Sequence, residues 1–425
     1  MGLGDLGLGR GTCDVKVSLR FSHRDHNGRV QPHDSDDEHL FRLAARTWLE
    51  ANAVRPDRPL IAPSAIVAEW APHVEEAKLD EARAWQLRKF EEGWAGIAWP
   101  AAYGGRGGTL VEQMIFTQEE GAFDVPHDAL AVGIGWCGPA ILFLGSEEQK
   151  ARYLPALLSG REVWCQLFSE PAAGSDLAGL ETKAVRDGQE WVISGQKVWT
   201  TFAHRSDWGL CIARTDTEAA RHKGLTAFMV DMRDEGVTAR PLRQMTGSAN
   251  FNEVFLDEVR VPDERRIGNV GDGWRVVITT FMFERTSVFS MAGSVAAAMD
   301  SLLTEKRRGD PVARDRWMRT WVGGRILGFT NLRLMTALAQ GRMPGPEGSL
   351  GKLVGTLLLS DLYDQAIGLL GADGMLAQVD APMDGEWQDA FLGAPGLRVG
   401  GGTDQIQRNI IAERILGLPK DLVGP

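Results

Sequence analysis

Cysteine is scarce in this sequence: Cys13, Cys137, Cys165 and Cys211 are the only four, and no two stand at a CxxC or other metal-ligand spacing. A disulfide framework or a structural zinc site is therefore not expected, and the thiols read as reduced, in a cytoplasmic setting. Histidine is equally thin. Three of its eight residues, His23, His26 and His33, crowd a polar leader where a disordered tail is expected rather than a metal site. Basic charge is in deficit, with 46 Lys and Arg against 57 Asp and Glu and a net charge of −11. That balance argues against nucleic acid as the main partner, which needs a basic surface. It leaves room for a phosphate-bearing ligand held by a few local cations. No run approaches about 18 apolar residues, so no membrane-spanning helix is expected. Residues 1–36 lack the apolar stretch of a secretory signal, and Asp5, Asp14 and Asp25 count against a mitochondrial leader. They read as a disordered extension or as residues upstream of a later start codon.

What is present suits a soluble, folded protein of two or three domains: 425 residues, 44% of them apolar and 24% charged. Residues 37–162 read as a helical domain. Ser35-Asp36-Asp37 offers a cap before a helix that places Leu40, Leu43, Thr47 and Leu49 near one face. Further helices are expected at 78–87, 110–122, 128–145 and 147–158. Residues 163–272 change to short alternating runs, among them 208–213 and 225–230, which read as strands. Within them Glu190–Ile193 and Lys197–Thr201 read as two strands flanking a hairpin turn at Ser194-Gly195-Gln196. From residue 273 to the C-terminus helix returns, with candidates at 274–306, 311–341, 346–372 and 403–417. Helix block, strand block and helix block together predict an α+β chain with segregated domains rather than an alternating βαβ fold.

Five ordered stretches then become recognisable. They are Trp99-Pro100-Ala101-Ala102-Tyr103-Gly104-Gly105, Ser169-Glu170-Pro171-Ala172-Ala173-Gly174-Ser175-Asp176, Gly195-Gln196-Lys197-Val198-Trp199-Thr200-Thr201, Val254 to Pro262, and Gly402-Thr403-Asp404-Gln405-Ile406-Gln407-Arg408. Together, over residues 38–421, they resemble the acyl-CoA dehydrogenase family. The resemblance implies a helical N-terminal domain, a central β-domain and a C-terminal four-helix bundle. It implies FAD as cofactor, an acyl-CoA thioester as substrate, an electron-transferring flavoprotein as acceptor, and a homotetramer or hetero-oligomer.

The implied reaction is α,β-dehydrogenation to the trans-2-enoyl-CoA. A carboxylate removes the weakly acidic α-proton, hydride leaves Cβ for flavin N5, and two donors stabilise the enolate that develops. The family's usual base position falls on Gly401, which cannot abstract a proton but keeps its N–H as an oxyanion donor. Some relatives carry the carboxylate on the first bundle helix in an L/F-E-R sequence. Phe283-Glu284-Arg285 stands there, so Glu284 is the expected base, with Arg285 beside the substrate. By the same resemblance Gln166, Phe168, Ser169, Trp199, Thr201, Thr403 and Gln405 fall on cofactor contacts, and Ser175 near the CoA. The R-x-x-F-G motif that reaches a neighbouring subunit's FAD is not retained. Arg308 is carried as the phosphate contact, with Arg307 and Arg314 left open beside it. Branched or bulky acyl groups go with this placement of the base. Two other readings remain: a flavin monooxygenase or oxidase on the same fold, against which the retained Glu284 argues, and a non-catalytic subunit, which Gly401 permits.

Overall fold

The computed structural model describes residues 34–56, 70–126, 130–287, 310–339 and 345–420. Residues 1–33 of the leader, and Arg307 and Arg308, lie outside these residues, while Ser35 and Asp36 of the expected leader cap and begin the first helix.

The first block begins with α1 (Asp36–Asn52), α2 (Glu75–Glu91), α3 (Leu110–Glu120), α4 (Gly138–Leu144) and α5 (Glu147–Leu158). Local chemistry starts three of them. Ser35, Thr109 and Ser146 each accept the N–H three residues on and receive a side chain back from Glu38, Glu112 and Gln149. Each capping box pairs two amide donors that a helix start leaves unpaired. The buried face of α1 is Phe41, Ala45 and Leu49, while Leu40 and Leu43 point outward. The expected face was displaced because the Trp94–Phe116 stack offers an aromatic surface on which Phe41 packs edge-on. A π-helical stretch, Val132–Cys137, leads into α4.

The strands are β1 (Trp164–Leu167), β2 (Lys183–Asp187), β3 (Glu190–Thr201), β4 (Trp208–Arg214), β5 (Leu225–Asp231), β6 (Val237–Leu242), β7 (Phe251–Pro262) and β8 (Arg266–Ile267). They form one sheet ordered β6-β7-β3-β2-β4-β5-β8, with β1 parallel to β4. The hairpin expected at 194–196 is absent, because β3 runs unbroken through it. Gly195 marks a register shift against β7, and its Cα passes so close to Thr182 that any Cβ would lie 2.7 Å from the Thr182 Cα. The turn sits earlier, at Gly188, between β2 and β3. Strands β4 and β5 are buried on both faces. Leu210 and Ile212 meet the helices, while Cys211 and Ala213 meet β7 and β1, as a period of two requires. Cys137, Cys165 and Cys211 are free and buried, and burial raises all three thiols, Cys165 to about 12 and Cys211 to about 11.

The second helical block holds α6 (Gly273–Ser287), α7 (Pro311–Ala339), α8 (Gly348–Leu370), α9 (Glu386–Leu397) and α10 (Asp404–Ile410). Helix α9 was not expected; its Trp387, Ala390 and Ala394 pack on Leu359, Tyr363 and Ala366 of α8. Residues Gly348–Met375 are long and apolar enough, by length and composition, to cross a membrane. No such span was expected, because Gly, Ser and Thr interrupt the run of leucines without lowering its mean hydropathy below 1.3. In the fold α8 is the central bundle helix, packed on α6, α7, α9 and α10.

Candidate active site

The core of the site is built on a buried lysine. Lys197 on β3 is fully buried, and its ammonium donates to the Phe168 carbonyl at 3.0 Å, the Ile212 carbonyl at 2.8 Å and Glu170 Oε1 at 2.8 Å. The Glu170 carboxylate also accepts the Glu181 and Thr182 N–H groups at 2.6 and 2.9 Å. Burial pushes this carboxyl up, but the Lys197 charge and the N–H donors outweigh it and hold Glu170 below its ordinary value. A buried charge must be paired and fully hydrogen-bonded to persist, and this one is. The pair clamps the turn after β1 onto β3, and the Ser169 carbonyl accepts the Val198 N–H at 2.9 Å. Four expected cofactor contacts, Phe168, Ser169, Trp199 and Thr201, are thereby held together. Gln166 lies on β1 beside them, partly buried.

Trp199 sits on a second register shift in β3, at φ +60°, and its ring is 62% exposed. A left-handed tryptophan is strained, and such strain persists only where the surroundings impose it. Its edge-on neighbour is Phe251, at 6.2 Å. Next to it the Thr200 hydroxyl is buried without a hydrogen-bond partner among the described residues. An exposed, strained indole beside a buried unpaired hydroxyl suits a planar aromatic ligand with polar edges, so the residues fit the flavin that the resemblance implies.

The two residues expected to do the chemistry come from the first helix and the last turn of the second helical block. Glu284 on α6 is 6% exposed. Gly401, in the turn between α9 and α10, has φ +66°. A Cβ at Gly401 would stand 2.7 Å from Glu284 Oε1 and 3.5 Å from Lys352 Cε. The carboxylate of one expected residue therefore occupies the space in front of the other. The Gly401 carbonyl accepts from Gln407 at 3.1 Å, and no hydrogen bond among the described residues uses its N–H. One turn before Glu284, Phe281 meets the ring of Phe168 edge-on at 6.0 Å, which joins the β-domain turn to the helix of Glu284. Phe283 stacks on Phe143 of α4 at 5.5 Å.

Thr403 caps α10, accepting the Ile406 N–H at 3.2 Å. It lines, with Gln405 and the β-domain residue Met245, a cavity of about 560 Å³. Glu284 and Gly401 are not among the lining residues of that cavity. Ser175 is exposed on its loop, and Arg314 is exposed at the start of α7; no described contact brings either to Glu284. Arg285 continues α6, its side chain outside the described residues. Lys197, Glu170, Lys352, Asp404 and Arg398 were given no role from sequence. Lys197 and Glu170 stood inside the recognised motifs; a charged residue in the middle of an apolar strand was the available signal.

Three family descriptions match the chain in order. They are "Acyl-CoA dehydrogenase, N-terminal domain" over residues 62–161, "middle domain" over 165–259 and "C-terminal domain" over 271–416. The chain is 37% identical over 399 residues to acyl-CoA dehydrogenase IpdE1 of Mycobacterium tuberculosis, across 91% of this chain and 100% of the relative. It is 41% identical over 367 residues to FadE34 of the same organism, across 85% of this chain but only 49% of that relative. Among solved structures, the Tcur3481-Tcur3483 steroid ACAD has a TM-score of 0.78 at 26% identity, covering 92% of this chain and 99% of that chain. The ChsE4-ChsE5 complex from Mycobacterium tuberculosis has a TM-score of 0.73 at 26% identity, covering 91% and 99%.

Proposed function

Because the chain belongs to the acyl-CoA dehydrogenase family, FAD-dependent oxidoreductases, we propose that Glu284 is the base that takes the α-proton of an acyl thioester. The observation that carries this reading is the approach of Glu284 Oε1 to 2.7 Å from the side-chain position of Gly401. Glycine there brings no carboxylate of its own and leaves room for one from α6. Out of bulk water a carboxylate is a stronger base, which suits a weakly acidic α-proton. The Gly401 N–H is available to donate to the thioester oxygen as negative charge develops on it. Bound FAD supplies the acceptor for the hydride that leaves Cβ. Phe168, Ser169, Trp199 and Thr201 would hold the ring system and Thr403 and Gln405 a more distant part of it. Loss of the proton from Cα and of hydride from Cβ leaves the double bond of an enoyl thioester.

The substrate we infer is bulky or branched. The Tcur3481-Tcur3483 relative is described as a steroid ACAD, and the edge-on pair of Phe168 and Phe281 sets two aromatic rings one turn from Glu284, which suits broad apolar groups. We infer an oligomer as well. Both of the quoted structural relatives are named for two chains, and α7 exposes Met318, Val322, Ile326 and Phe329 in one stripe at helical spacing. An electron-transferring flavoprotein is the acceptor the family leads us to propose.

The test is an anaerobic titration of the purified flavoprotein with straight, branched and ring-bearing acyl-CoAs, followed by flavin absorbance. Bleaching by one class that disappears in Glu284→Gln is the expected outcome. Flavin that no thioester bleaches, or bleaching that survives Glu284→Gln, refutes the assignment.

A further inference from the structure

Lys352, near the start of α8, is 2% exposed. A buried ammonium must find acceptors and a counter-charge. It donates to the Leu397 carbonyl at the end of α9, just before the turn that carries Gly401. Its Cε and Glu284 Oε1 flank the same point, the side-chain position of Gly401, at 3.5 and 2.7 Å. The charged groups acting on it are Glu284 from α6 and Asp404 from α10. Asp404 is itself held by Arg398 at 2.6 Å. On α7, Arg316 pairs with Asp361 and Asp364, further along α8. The π-helical stretch and α4, VGIGWCGPAILFL, which pack against α6, carry no charge. Burial lowers the Lys352 ammonium to about 8, while Glu284 and Asp404 pull it back up.

We propose that Lys352 is a positioning residue for the base: its buried charge keeps the Glu284 carboxylate ionised and aimed across Gly401. The inference rests on Glu284 being the base. Burial makes a carboxylate take up a proton more readily, and a cation nearby opposes that. Arg398 is committed to Asp404, and among the described residues Lys352 reaches the Glu284 carboxylate across the Gly401 position. Its bond to Leu397 ties the same ammonium to the turn of Gly401. One side chain thus sets both the charge of the base and the place of its glycine neighbour.

The test uses the full flavin-loaded protein as Lys352→Met and Lys352→Gln; glutamine keeps a donor for the Leu397 carbonyl without the charge. Two readouts are followed against pH. The first is the infrared band of the protonated Glu284 carboxyl, identified by its loss on adding Glu284→Gln. The second is the acidic limb of kcat/KM. Both are expected to move upward by about one pH unit or more in each variant that folds, at unchanged flavin content. A carboxyl titration that stays in place in a folded variant overturns the proposal. A titration that moves while the acidic limb stays upholds the action of Lys352 on Glu284 and removes Glu284 from the role of base.

Discussion

Replacing Gly401 by alanine adds one methyl group where the proposed base meets the turn. The new Cβ would stand 3.5 Å from Lys352 Cε, an ordinary contact, but 2.7 Å from Glu284 Oε1. The carboxylate must then withdraw by several tenths of an ångström. Gly401 also has φ +66°, a conformation that costs a non-glycine residue about 1–2 kcal/mol. Stability should fall by that amount, a shift of a few degrees in Tm for a chain of this size. The rate should fall further, because a catalytic group misplaced by about 1 Å costs about a hundredfold and several tenths of that about tenfold. The assay is kcat with the best acyl-CoA and an artificial electron acceptor, beside urea unfolding and flavin content. The expected result is about tenfold lower kcat with full flavin and a small loss of stability. A kcat within about threefold of the parent, at full flavin, would refute the argument that the meeting of Glu284 and Gly401 is where the chemistry happens.

Two further outcomes follow from the β-domain. Lys197→Met strands a buried carboxylate and two carbonyls, and should cost about 3–5 kcal/mol in urea unfolding together with most of the bound flavin. Glu170 is held below its ordinary value in the folded protein, so its contribution is present above the unfolded value of 4.5 and is lost as pH falls through the folded one. The stability gap between parent and Lys197→Met should therefore narrow on acidification below about pH 4.5, where Glu170 in the variant is neutral; a gap that widens there contradicts the pairing. Trp199→Gly relieves a left-handed tryptophan at φ +60° and should leave the flavin-free protein as stable or up to about 1 kcal/mol more stable, while weakening flavin binding at least about tenfold. Unchanged flavin affinity by equilibrium dialysis would show that the indole does not cover the cofactor.

The architecture was legible because the period changes along the chain are strong. Helical spacing before residue 160, alternation in β4 and β5, and helical spacing again after 273 each reflect one buried face or two. The cap of α1 was legible in Ser35-Asp36-Asp37, a signal that needs no tertiary context. What the sequence did not disclose depends on contacts at long range. Gly195 looks like a hairpin glycine, and only the approach of Thr182 shows that it serves a close crossing inside a continuous strand. Leu40 and Leu43 look like core until Phe41 finds Trp94, itself stacked on Phe116 of α3. Glu284 and Gly401 could each be singled out by motif, yet their meeting across Lys352 could not, because local patterning says nothing about which helix faces which turn.

The three-way bond of Lys197 also bears on the order in which the protein assembles. Its acceptors lie 29, 27 and 15 residues away along the chain, on different segments. The ammonium cannot leave water until β1, β3 and β4 are side by side, since any partial arrangement would bury it short of partners. Each of those closures has an entropic cost before its contact forms. The turn that presents Phe168 and Ser169 therefore takes shape late, after the sheet has closed. Flavin is then expected to bind a finished sheet rather than to template it. Added flavin during refolding should raise the loaded fraction without speeding the appearance of native strand structure.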